Sequence, residues 1–174
     1  MTIRDIIIAP DPRLKVKSAP VDEVTDETRT LMDDMLETMY DAPGIGLAAV
    51  QIGVPLRIIV IDLAHPEDDE EPAPLFLVNP QIIERSGELR PYDEGCLSLP
   101  DFYENVERPN HVILKYQDYD GTHQELEASE MLATCVQHEM DHLEGVLFVD
   151  HLSKMKRAMI LRKLTKQKRL DEVD

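Results

Sequence analysis

The sequence has no tryptophan and only two cysteines, Cys96 and Cys135, in 174 residues. Two thiols exclude a disulfide-stapled scaffold. In a reducing compartment they serve metal or catalytic chemistry more often than cross-linking, so both are read as free. Long apolar runs are missing as well. The N-terminal MTIRDIIIAPDPRLKVKSAP offers only Ile6 to Ile8, far short of a signal peptide's apolar region or of the about 20 residues that cross a membrane. Asp5 and Asp11 argue against an organelle transit peptide. A cytoplasmic protein without a membrane partner is expected. Positive charge is also scarce: 18 basic against 35 acidic side chains give a net charge of −17, which favours solubility and disfavours DNA as a partner. The deficit is uneven. Residues 1–153 hold 10 of the basic and 32 of the acidic side chains, a balance of −22, while the last 21 residues carry +5.

Hydrophobic residues make up 43% and charged residues 30%, the composition of a folded globular chain, and the length suits a single domain over residues 1–174. Val24, Thr28, Leu31, Met32, Met35, Leu36 and Met39 recur every three or four residues, which predicts a helix from about Thr25 to Asp41, ended by Pro43 and Gly44. RIIVID (Arg57 to Asp62), LFLVN (Leu75 to Asn79) and QIIER (Gln81 to Arg85) read as strands, with Ser86-Gly87 and Asp120-Gly121 as hairpin turns. HPEDDEEPAP (His65 to Pro74) reads as a charged surface loop. A second helix spans Ser129 to Glu144, with Ser129 as its cap and Gly145 past its end, and a last one runs from about Ser153 to Arg169. Helix, strands and two further helices without βαβ alternation make an α+β fold, antiparallel β-sheets around a central helix with an N-terminal and a C-terminal helix.

Within QHEMDHLEG (Gln137 to Gly145), His138-Glu139-x-x-His142 stacks two imidazoles on one helix face, where they can hold one divalent metal. Glu139 stands beside that face, the place for a general base rather than a ligand. An amphipathic helix whose histidines only flank the core would carry the same five letters. A third ligand is needed. Cys135 shares the helix face but lies about five residues, or ~7.5 Å, from the level midway between the histidines, which a short thiol cannot span. Cys96, in EGCLSLP (Glu94 to Pro100), can approach from outside the helix, so the expected set is Cys96, His138 and His142, although a lone cysteine taken by itself is more often a buried structural one. GIGLAAVQ (Gly44 to Gln51) adds glycines that permit close backbone approach and, at Gln51, an amide able to donate to a developing oxyanion. A metallopeptidase would share the His-Glu-x-x-His pattern, yet its third ligand should lie downstream, where only His151 is present, beyond Gly145. A metal-stabilised binding module would need a fourth ligand, and none has suitable spacing.

GIGLAAVQ, EGCLSLP and QHEMDHLEG, in this order, resemble the three signature motifs of the peptide deformylases. The resemblance implies that Cys96, His138 and His142 bind a divalent metal, Fe(II) in the cell with Zn(II), Ni(II) or Co(II) able to replace it. It implies that Glu139 shuttles the proton, that Gln51 and the backbone N–H of Leu97 hold the oxygen of the tetrahedral intermediate, and that Gly46 contacts the substrate backbone. The substrate would be the formyl-Met end of a nascent peptide, and the products formate and a free amine. Ile45, Met131, Thr134 and Cys135 are expected to line a pocket for the methionine side chain, the alternative being ordinary core. Thr134 is expected to bond back to the carbonyl of residue 130. Where the family can place an arginine after the cysteine motif, this chain has Asp101-Phe102-Tyr103. On the last helix Arg162, Lys163, Lys166 and Arg169 fall within an arc of about 120° opposite Ile160, Leu161 and Leu164. That stripe is either a solubilising face or a contact with the ribosome.

Overall fold

The computed structural model describes residues 1–64 and 68–174. Helix α1 (Asp26–Asp41) starts from a reciprocal cap: Thr28 N–H donates to the Thr25 hydroxyl, and Thr25 N–H to the Thr28 hydroxyl. Its Met32, Met35 and Met39 are buried, as their spacing requires. Strands β1 (Gly46–Ala48), β2 (Ile58–Ile61), β3 (Leu75–Arg85), β6 (His111–Gln117) and β7 (His123–Ser129) form a five-stranded antiparallel sheet in the order β1-β2-β3-β6-β7. Ile58 and Val60 face α1, and Ile59 and Ile61 face helix α2 (Glu130–Leu143). With both faces covered, every residue of β2 is buried. Strands β4 (Leu89–Cys96) and β5 (Leu99–Pro109) form a separate two-stranded sheet. Helix α2 therefore lies between this hairpin and the five-stranded sheet.

Three expectations are corrected. The two strands on either side of Pro80 are one, β3, whose register slips between Val78 and Gln81 because Asn79 takes a φ of 52°. Ser86-Gly87 joins no hairpin, since β3 pairs with β6 and β4 with β5; Asp120-Gly121 does join the paired β6 and β7. Ser129 occupies the cap position of α2, but its side chain makes no capping hydrogen bond, and Glu130 opens the helix at φ 55° with its N–H donating to the Asn110 carbonyl. Gly145 does end α2, at φ 74°, with the Lys15 carbonyl where a side chain would stand. The first three residues of the expected loop from His65 to Pro74 lie outside the described residues.

Helix α3 (Lys154–Asp171) buries Ile160 and Leu164 in a cluster with Ile7, Leu14, Leu99 and Phe148, while Arg162, Lys163, Lys166 and Arg169 are exposed. Among the described residues no helix is long and apolar enough to cross a membrane.

Candidate active site

Strand β4 ends at Cys96, whose thiol meets His138 and His142 on successive turns of α2. Cys96 Sγ lies 3.3 Å from His142 Nε2, and one donor atom from each of Cys96, His138 and His142 falls within 4.8 Å of the others. Among the described residues these three form the one such group, and Cys135 and His151 stand outside it. Cys135 Sγ turns towards the Ile45 carbonyl at 3.9 Å, and His151 bonds Asp141 at 2.8 Å.

The histidine rings are set from behind. His138 Nδ1 shares a 2.9 Å hydrogen bond with Glu94 Oε1, which leaves Nε2 for the ligand group. Glu94 is in turn gripped by Arg108 at 2.6 and 2.9 Å, and Arg108 reaches Asp141 at 2.9 Å. Burial would raise the Glu94 carboxyl, but its bonds to His138 and Arg108 hold it below the usual carboxylate range. Burial, with His138 beside it, keeps His142 neutral, the form that ligates metals. The donors fit a divalent metal: one thiol and two imidazoles converge, and the buried Nδ1 of His142 and Oε2 of Glu139 have no hydrogen-bond partner among the described residues. Burial lifts the Glu139 carboxyl to about 7.

Gln51 sits in the short 3₁₀ turn after β1. Its Oε1 accepts from Ala48 N–H at 2.9 Å, which fixes the amide so that Nε2 points at Ser98 Oγ, 3.0 Å away, and at Cys96 Sγ, 3.5 Å away. Leu97 lies in the tight turn that returns β4 to β5, beside Gly44. Gly46 is required by proximity: a β-carbon there would stand 2.7 Å from Glu139 Oε1 and 3.0 Å from Cys135 Sγ.

A cavity of about 670 Å³ opens onto this group. Ile45, Gly46, Met131, Thr134 and Cys135 all line it, together with Tyr92. The Thr134 hydroxyl accepts from Arg90 Nη1 at 3.2 Å, and no bond back to residue 130 forms, contrary to the sequence-based expectation. In the Asp101-Phe102-Tyr103 segment Asp101 has a φ of 69°, and Tyr103 lays its ring over Gly95 at the cavity wall.

Sequence reasoning missed Glu94, Arg108, Ser98 and Arg90. Glu94 carried a signal, since it lies two residues from Cys96 on a strand and so turns towards the same helix. Arg108 carried none, because its partner is 14 residues away across the hairpin.

The family model for polypeptide deformylase matches residues 3–158. A peptide deformylase of Hyphomonas neptunium is 58% identical over 169 residues, covering 97% of this chain and 95% of that protein. The crystal structure of peptide deformylase from Ehrlichia chaffeensis superposes with a TM-score of 0.92 at 38% identity, covering 98% of this chain and 99% of that one. The Met-Ala-Ser-bound peptide deformylase of Acinetobacter baumannii gives 0.80 at 34% identity, covering 87% and 99%.

Proposed function

The chain belongs to the peptide deformylase family, and from that membership we propose how its residues divide the work. Its activity is the metal-dependent hydrolysis of the formyl group from the N-terminal formyl-methionine of nascent polypeptides, with release of formate. Residues 1–174 act as one catalytic domain. Cys96, His138 and His142 hold the metal. Fe(II) is the ion proposed in the cell, with Zn(II), Ni(II) and Co(II) as replacements, because a thiolate with two imidazoles suits each of these ions. When bound, a divalent metal supplies Lewis acidity, lowering the pKa of a water and polarising a carbonyl.

Glu139 takes the proton of the attacking water and passes it to the departing amine. As the formyl carbon becomes tetrahedral, Gln51 Nε2 and the Leu97 backbone N–H donate to the oxygen that gains charge. Gly46 brings the β1 backbone close enough to align the substrate chain, and Ile45, Met131, Thr134 and Cys135 receive the methionine side chain. Glu94 and Arg108 fix His138. The protein works in the cytoplasm, where nascent chains emerge, and α3 contacts the ribosome.

One observation carries the metal and Glu139 assignments: three donor atoms within 4.8 Å of one another lie beside the buried Glu139 carboxylate, whose Oε2 has no hydrogen-bond partner among the described residues. Glu139→Ala should keep the metal and lose on the order of 100-fold or more in formate release from a formyl-Met peptide. Near wild-type turnover at confirmed metal content would remove Glu139 from the mechanism.

A further inference from the structure

Thr30, Thr38 and Thr165, the other threonines beyond the first turn of a helix, each donate their hydroxyl to the carbonyl four residues back, at 3.0, 2.7 and 2.8 Å. Thr134 does not. The residue four back is Glu130, which opens α2 outside helical geometry at φ 55°. The Thr134 oxygen instead meets Arg90 Nη1 at 3.2 Å, its one partner among the described residues. A guanidinium only donates, so the hydroxyl must accept from it, and the threonine's own hydrogen is left without an acceptor among the described residues. Arg90 is held in place by lying over the Tyr92 ring, 5.2 Å from its centroid. Thr134 is 3% exposed, and both it and Tyr92 line the cavity that opens onto the three ligands. A buried hydroxyl hydrogen is costly to leave unbonded, so an occupant that supplies an acceptor gains over one that does not.

We infer that Thr134 is a specificity-determining residue of the formyl-methionine site, with Arg90 as its positioning residue. With its oxygen occupied by Arg90, the hydroxyl donates to the thioether sulfur of the substrate side chain. The pocket thereby favours methionine over a hydrocarbon chain of the same length. The inference rests on reading the cavity as the methionine pocket, and the test separates the two.

Formyl-Met-Ala-Ser and formyl-norleucine-Ala-Ser differ by one sulfur, and the readout is the ratio of their kcat/KM values on the metal-loaded full-length enzyme. T134V removes the hydroxyl at nearly constant shape and should lower the Met-to-norleucine ratio about five-fold relative to wild type. T134S keeps the hydroxyl and should hold the wild-type ratio. R90M frees the oxygen and should lower the ratio part of the way. An unchanged ratio in T134V overturns the proposal, and so does an equal fall in T134S. Should T134V fold poorly, T134S against R90M decides, equal ratios again overturning it. Met131→Trp addresses the underlying reading: filling the cavity should depress both peptides alike, and no effect on either would mean that the methionine side chain binds elsewhere.

Discussion

Cys96 and Cys135 offer two thiols to one cavity, and their surroundings give them different chemistry. Cys96 ends a strand and reaches His142, whereas burial pushes the Cys135 thiol up and leaves it a neutral wall atom against Ile45. Cys96→Ser should therefore cut the bound metal well below one equivalent, while Cys135→Ser should leave it unchanged, as elemental analysis of purified protein would show. The reverse pattern would reject the ligand assignment. At this scale the sequence was legible wherever the chemistry is local: the histidines declare themselves by a four-residue helical spacing. It was illegible where a role depends on a partner far along the chain. Arg108 looks like any surface arginine until β5 folds back and buries it against Glu94 and Asp141.

Among the elements, residues 1–10 form no helix or strand yet build part of the site. Ile7 N–H donates to the Gln51 carbonyl and Ala9 N–H to that of Ser98, so the segment braces the two turns nearest the Cys96–His138–His142 group, and Ile6 and Ile8 line the cavity. It is pinned to α1 by Asp34, which accepts from Thr2 N–H at 2.8 Å and from the Arg4 guanidinium at 2.7 Å. Burial would raise the Asp34 carboxyl, but these donors hold it below its ordinary value of 3.8. A depressed carboxyl stabilises the fold above its unfolded pKa, and that contribution is lost as pH falls through the folded value. Thermal melts of wild type and Asp34→Asn should then differ most near neutrality and converge below about pH 4. A gap independent of pH would assign Asp34 a packing role alone. The elements legible in the sequence were the helices with an apolar period, α1, α2 and α3, and the apolar runs of β2 and β3. The β4–β5 hairpin escaped because most of its side chains are polar, with only Glu94, Leu99, Val106 and Arg108 buried, so no alternation announces it.

For the whole molecule the governing feature is charge. Arg162, Lys163, Lys166 and Arg169 are exposed on α3, and among the described residues none has an ion pair. Their reversal to glutamate should reduce co-sedimentation with ribosomes at low salt and spare turnover of a short formyl-Met peptide. Equal sedimentation would leave the stripe as a solvated face. Binding through such a stripe should weaken steeply as salt rises.

The same partition of charge has a mechanical side. A polyanionic surface pulls on α3 and pushes on the acidic remainder, so it exerts a torque as well as a force. The molecule would be turned α3-first before any contact forms. At physiological ionic strength the field decays over about 8 Å, so this alignment acts only in the last stretch of the approach. The cavity's bearing relative to that surface is then fixed by where α3 is bolted to the core, at Ile160 and Leu164.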